Sequence, residues 1–326
     1  MKVHTLDVES SQRDPTLYAY ANSYVITLEN PVYDVSMIEL VSARIPTKQF
    51  DVCATNQTFS VDGTNITLPT RDYANVQVLS DALQTALAPP NSNVDVVTYF
   101  DDHTLLFSNT LGEGHFTFEF NTGTHGYQSN VTDRTTPHEL MGFGSADVSS
   151  NASYQVRSGP ANFSGPNALC LRLTTGSDDF TKHVYTGTPF YTGKLLLDGS
   201  DVLDFRGNDD PLVYEFHGGA QKVMDTLKIE FFYMSHGKLI PYDFRNQEHA
   251  LKFKITCSTD RLENLTRHVE PEELVLPPPI KVDVDEKTDL YKWIPIGVII
   301  LLGIVLLTLI DPRPRRPGPS GAPRAG

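Results

Sequence analysis

An apolar run near the end of the chain, Trp293 to Ile310, constrains this sequence more than anything else in it. It reads Trp-Ile-Pro-Ile-Gly-Val-Ile-Ile-Leu-Leu-Gly-Ile-Val-Leu-Leu-Thr-Leu-Ile and carries no charge. As a helix rising about 1.5 Å per residue it would cover about 27 Å, close to the hydrocarbon thickness of a bilayer. In lipid every amide must be paired internally, and a single helix does this. The residues expected in the hydrocarbon are Trp293, Ile294, Ile296, Val298, Ile299, Ile300, Leu301, Leu302, Ile304, Val305, Leu306, Leu307, Leu309 and Ile310. Tyr291, Lys292 and Trp293 would form the interfacial edge, where amphipathic side chains favour the headgroup layer. Pro295 falls in the first turn, where a missing amide costs little. The competing reading is a buried core helix. Such a helix is usually amphipathic, whereas this run is apolar on every face.

The rest of the chain is polar and acidic. The whole carries a formal net charge of −14. After the apolar run, Arg313, Arg315, Arg316 and Arg324 outnumber Asp311, so the tail is basic and the part before the run holds more than the whole chain's negative charge. An acidic domain repels nucleic acid and anionic lipid. Three scattered cysteines, Cys53, Cys170 and Cys257, supply no disulfide framework and suggest buried, reduced thiols. The opening residues Met1 to Glu9 show no hydrophobic signal core. The expectation is a helix inserted after synthesis, with the large domain in the cytosol. Two cues oppose that topology: the arginines just after the helix, and the sequons at Asn56, Asn65, Asn130, Asn151, Asn162 and Asn264.

Strand signals follow one another from the start to about Ser258. Ser23–Leu28 and Val35–Ile45 read as two strands. Phe59–Val61 and Ile66–Leu68 flank the hairpin signal Asp62-Gly63-Thr64-Asn65. Val94–Phe100, Thr104–Phe107 and Phe116–Phe120 follow, the last with its phenylalanines on one face. Leu169–Leu173, Lys194–Leu197 and Leu212–Phe216 are short strands. Leu227–Tyr233 and Leu251–Cys257 alternate most clearly, as half-buried strands of an antiparallel sheet. Helix is confined to Val76–Leu87, stopped by Pro89-Pro90, and to a turn at Pro137–Met141. The expected fold is all-β, a jelly-roll-like antiparallel sandwich with one or two short helices and a C-terminal transmembrane helix. Its divisions are a sandwich domain over 1–266, a Pro-rich charged stalk over 267–292, the anchor over 293–310 and a basic Pro/Arg tail over 311–326.

No catalytic signature stands out. There is no Gly-x-Ser-x-Gly elbow, P-loop or His-Glu-x-x-His. His217-Gly218-Gly219 lacks an accompanying nucleophile and reads as a turn. His115 with His125, or His236 with His249, would have to meet in space, and no histidine spacing resembles a zinc site. Asp101-Asp102, Asp178-Asp179 and Asp209-Asp210 sit in turn-like sequence, where solvated carboxylates are commoner than calcium ligands. No enzyme activity, cofactor, metal or small-molecule substrate is expected.

Several loose motifs do form a pattern. Ser11-Gln12-Arg13-Asp14 precedes Tyr18, Asn22 and Tyr24-Val25-Ile26; Ile38-Glu39-Leu40, Ala43 and Ile45-Pro46 follow. Farther on come His138-Glu139-Leu140-Met141-Gly142-Phe143 and Asp243-Phe244-Arg245-Asn246-Gln247-Glu248-His249. This pattern resembles that of virion proteins from large double-stranded DNA viruses of algae and their relatives, with Asn246 standing where that group usually has Gly. The resemblance implies a jelly-roll-like virion structural protein, a minor capsid component without catalytic residues. With the anchor, it implies a protein between the capsid shell and the internal virion membrane. Its expected partners are viral capsid proteins and the lipid of that membrane, with genome phosphates as a further partner for the arginine tail. A membrane-anchored surface attachment glycoprotein, with the sandwich outside, is the alternative.

Overall fold

The computed structural model describes residues 2–89, 91–99, 101–175, 178–179, 191–208, 211–216, 221–258 and 290–310. Two compact units divide the chain, Met1–Leu265 and Thr266–Gly326. The strands are β1 (Lys2–Glu9), β2 (Ser23–Pro46), β3 (Thr58–Val61), β4 (Thr64–Thr67), β5 (Val94–Tyr99), β6 (Thr104–Asn109), β7 (Thr117–Phe118), β8 (Val148–Ser149), β9 (Gln155–Arg157), β10 (Ala168–Thr175), β11 (Asp178–Asp179), β12 (Gly193–Leu196), β13 (Val202–Arg206), β14 (Leu212–Glu215), β15 (Gln221–Ser235), β16 (Lys238–Pro241) and β17 (Ala250–Cys257). The helices are α1 (Val76–Leu87) and, in the second unit, α2 (Leu290–Ile310).

Strand pairing is antiparallel throughout the described residues. The largest sheet runs β1-β17-β2-β15-β10-β11, with β12 on β10, β13 and β14 on β2, and β16 on β15. Two smaller sheets run β4-β3-β7-β8 and β5-β6-β9. Alternation along the strands explains the first core. Leu227, Ile229, Phe231 and Tyr233 of β15 and Leu251, Phe253 and Ile255 of β17 turn inward with Tyr24, Ile38 and Leu40 of β2. The second core lies under α1, whose Val76, Leu79, Leu83 and Leu87 cover Phe59, Phe107, Phe116, Phe118 and Phe120. Asn75 caps α1 by accepting from the amide of Val78 at 3.0 Å. The rings of Phe118 and Phe120 stack at 5.7 Å between centroids. All three cysteines are buried and free.

The structure corrects one expectation and adds two features. The two strands read over 23–28 and 35–45 are one strand of 24 residues. Pro31 and the left-handed Asp34 (φ 52°) look like strand breaks in sequence. The chain continues because β15 pairs on both sides of that point, with register shifts absorbing the irregularity. Leu227–Tyr233 and Leu251–Cys257 do not pair with each other; they flank β2. Finally β16, the short return strand after the turn at His236-Gly237, has only four residues and no alternation long enough to read.

In the second unit α2 spans 21 residues and contains Pro295. Its side chains are described from Trp293 to Leu309, and all of those are exposed. Among the described residues no helix is long and apolar enough to cross a membrane. The side chains of Tyr291, Lys292 and Ile310, stalk residues 267–289, and the tail with Arg313, Arg315, Arg316 and Arg324 lie outside the described residues.

Gly142 and Gly144 supply a paired test of this packing. Gly142 has φ +77°, and a Cβ there would run into the carbonyl oxygen of Gly159; around Gly144 the space is open. Gly142→Ala should cost roughly 2–4 kcal/mol in urea unfolding, and Gly144→Ala should stay within about 0.5 kcal/mol of the parent.

Candidate functional site

Six of the motif residues meet at one end of the large sheet. A short 3-10 turn, Ser10–Gln12, follows β1 and brings Arg13 back toward the segment before β17. Arg13 Nη1 donates to both carboxylate oxygens of Glu248, at 2.8 and 2.6 Å, and to the carbonyl of Ser10 at 2.7 Å. Its Nε donates to the carbonyl of Tyr18 at 3.1 Å. Ser10 Oγ donates to Glu248 at 2.5 Å and accepts from the amide of His249 at 2.8 Å. Tyr24 Oη and His249 Nε2 lie 2.9 Å apart, and the His249 ring packs against Phe231 and Phe244. Burial acts against the Glu248 carboxylate, but the donors Arg13 and Ser10 outweigh it and hold its pKa below the ordinary value. The Arg13 and Ser10 donors are spent on the protein itself, while His249 Nδ1 is buried without a hydrogen-bond partner; the chemistry of the group is that of a clasp closing the N-terminal segment onto the last strand.

The other motif residues stand apart from this clasp. Asp14 caps its own turn through the amide and hydroxyl of Thr16. Ser11 is exposed, and Pro46 is buried at the end of β2. Asp243 accepts from the amide of Arg245 at 2.9 Å. Arg245 and Asn246 both take left-handed backbone, φ 53° and 59°. Asn tolerates that conformation, so the turn closes without the glycine usual in the similar proteins.

A second cluster joins the two cores. His236 sits in the turn between β15 and β16; His138 and Glu139 sit in the turn at Pro137–Met141. His138 Nε2 and His236 Nε2 are in hydrogen-bond contact. Glu139 Oε1 lies 3.8 Å from the first and 3.6 Å from the second. On its other side, His138 Nδ1 is 3.1 Å from the Thr136 carbonyl and 2.8 Å from the Thr136 hydroxyl. Burial, and then His236, push the pKa of His138 down to about 4, so its ring is neutral near pH 7. Next to it Thr135 and Ser235 share a buried hydroxyl contact at 3.0 Å, and Lys238 Nζ donates to the carbonyls of Gly126 and Val131. A cleft of about 900 Å3 opens alongside, with Asp51, Tyr73, His138, Tyr233 and Arg245 in its wall.

Sequence spacing did not bring these ligand types together. His138 and His236 are 98 residues apart. Of the histidine pairs considered from sequence, His115 instead contacts Ser150 and Tyr154, and His249 is taken by Tyr24. Asp102 pairs with Arg157 at 2.6 Å and is a turn residue. His217-Gly218-Gly219, Asp209-Asp210 and the side chains of Asp178-Asp179 lie outside the described residues.

Residues 3–99 match a family described as "Family of unknown function (DUF5901)", which takes in β1, β2, the first hairpin and α1. No curated protein matches the chain. Among solved structures, the mavirus penton protein is similar over 79% of this chain and 100% of its own, with 7% identity and a TM-score of 0.34. A chain from the cryo-EM structure of the Sputnik virophage is similar over 79% of this chain and 98% of its own, with 10% identity and a TM-score of 0.28. Scores of this size do not establish a shared fold.

The clasp yields two expectations. Glu248→Gln leaves the half-enclosed Arg13 charge unpaired and should cost about 2 kcal/mol in chemical denaturation. His249 has its pKa pushed down to about 4, first by burial, with Glu248 opposing and Arg13 assisting. The unfolded imidazole takes up a proton near pH 6.5 that the folded one refuses until about pH 4. Stability should therefore be full above pH 6.5 and fall with acid from 6.5 toward 4. In urea titrations across that window, His249→Gln should flatten the slope by up to one proton.

Proposed function

We propose that this chain is a non-enzymatic virion structural protein, a minor capsid component tying the protein shell to an internal viral membrane. The observation that carries the reading is α2. It is a helix whose described side chains are apolar and exposed on every side, from Trp293 at 71% to Leu309 at 75%. Apolar surface of that extent needs a medium other than water. Among the described residues the helix falls short of a crossing, so its fit to a bilayer rests on the sequence, in which Trp293 to Ile310 is joined by the interfacial Tyr291 and Lys292. The unit before it is built of antiparallel sheet with two packed cores, a rigid head suited to lateral docking on capsid proteins. The motif residues that resemble those of virion proteins supply its closing clasp, and the jelly-roll-like reading rests on the same resemblance. The basic tail would meet phosphate beyond the membrane, in lipid headgroups or genome.

The attachment-glycoprotein reading is less well supported. The three buried, unpaired cysteines suit a reducing compartment. Several sequon asparagines also spend their side chains on local turns, as Asn56 does on Cys53 and Asp51, and Asn151 on Ser153 and Gln155.

Flotation with liposomes tests the anchor. The full chain should rise with the vesicles through a sucrose gradient, and a chain ending at Asp289 should stay at the bottom. Equal flotation of the two would reject the membrane role. Absence of the protein from purified virions by mass spectrometry would reject the capsid role.

A further inference from the structure

We infer that His138, Glu139 and His236 form a divalent transition-metal site, suited to zinc, that pins the β15–β16 turn to the second core. The three side chains each direct one ligand atom to a common point, all within 4.8 Å of one another. Around a tetrahedral zinc with bonds of about 2.0–2.1 Å, ligand atoms sit about 3.3 Å apart. Glu139 Oε1 already stands at 3.6 and 3.8 Å from the two imidazole nitrogens. To reach that spacing the two nitrogens must part and Glu139 must close slightly; His236, partly exposed in its turn with its ring near Tyr127, is the side chain that would shift.

Protonation favours the same conclusion. Both the carbonyl and the hydroxyl of Thr136 lie at His138 Nδ1, and a proton on Nδ1 would be accepted by that carbonyl. In that tautomer Nε2, which faces His236 and Glu139, offers its lone pair to a metal. A backbone carbonyl behind a histidine ligand is the usual way its tautomer and orientation are fixed for a metal. The ring is nearly fully enclosed, with 2% of its surface exposed, and packs near Phe120. The nearby cation Lys238 directs its ammonium to the carbonyls of Gly126 and Val131.

Two imidazoles and one carboxylate select a first-row divalent ion over calcium or magnesium, which seek oxygen. Three protein ligands leave a fourth position for water. The ligands belong to different parts of the head: His236 lies on the large sheet's hairpin, and His138 and Glu139 lie on the turn whose Leu140 and Met141 enter the second core. A metal there would cross-link parts that are otherwise joined by hydrogen bonds.

The test uses the full chain in detergent, tag removed and stripped with EDTA. Calorimetric titration with ZnCl2 should show one equivalent bound, and thermal unfolding should rise on the order of 5 °C at a hundredfold excess over Kd. Cobalt should give the visible bands of a tetrahedral site, and MgCl2 should do nothing. His236→Asn retains a residue that accepts the left-handed backbone of this turn (φ 45°); Glu139→Gln changes an exposed side chain. Both should melt like the EDTA-treated parent and bind zinc at least tenfold more weakly. No zinc uptake by the parent, or undiminished uptake by both variants, would overturn the site.

Discussion

One strand organises the head. Over its 24 residues β2 is bonded to four other strands. Its first part runs against β15; from Val35 onward it lies between β17 on one edge and β14, then β13, on the other. The register of each neighbour is therefore set by one continuous backbone. A slip of one residue would turn Ile38, Leu40 and the side chains facing them out to solvent. Because β2 pairs with strands from the middle and the end of the chain, the large sheet closes only when distant segments arrive. The bonds from Arg13 and Ser10 to Glu248 act at that closure. They tie residues 235 and 238 positions apart, and Tyr24, at the start of β2, reaches the same corner through His249.

Polar contacts join the second core to this sheet in at least two places, one of them Arg245, which pairs with Asp72 and donates to the carbonyl of Gln49. The β15–β16 turn carries Ser235, His236 and Lys238, and each has a partner in the segment 126–138. Beside them the cleft keeps much of the remaining boundary open to solvent. Polar contacts at such a boundary set its geometry more than its strength, because each hydrogen bond contributes only about 1 kcal/mol net. A metal at His138 and His236 would add a bond between the β15–β16 turn and the turn at Pro137–Met141.

How much of this is legible in the sequence depends on how local the cause is. Helix α1 is read to the residue, because its apolar spacing and the prolines just after it are local signals. The strand alternation of β15 and β17 and the hairpin at Asp62-Gly63 are legible for the same reason. Strand β2 is read as two because Pro31 and Asp34 are breakers by local rules, and what overrides them is pairing with β15 some 190 residues away. Arg13, Glu248 and His249 stand out in sequence only through a resemblance; that they form a clasp is a fact of topology. His138 and His236 fall in two turns that have no sequence relation to each other, and no spacing rule could join them.

The helix and the head make opposite demands on their surroundings, and that opposition gives the proposed function its physical content. A helix that lay on a protein surface would need one apolar stripe and one polar face. From Trp293 to Leu309 the only side chain with a hydroxyl is Thr308, and it bonds back to the carbonyl of Val305 one turn earlier. The described side chains of the helix therefore form no polar face. The head, by contrast, belongs to the acidic part of the chain and keeps charged side chains at its surface, as with Lys252 of β17 beside Asp7 of β1. An anionic head is repelled by an anionic bilayer, so contact with lipid would fall to the helix alone and leave the head's surface free to meet other proteins.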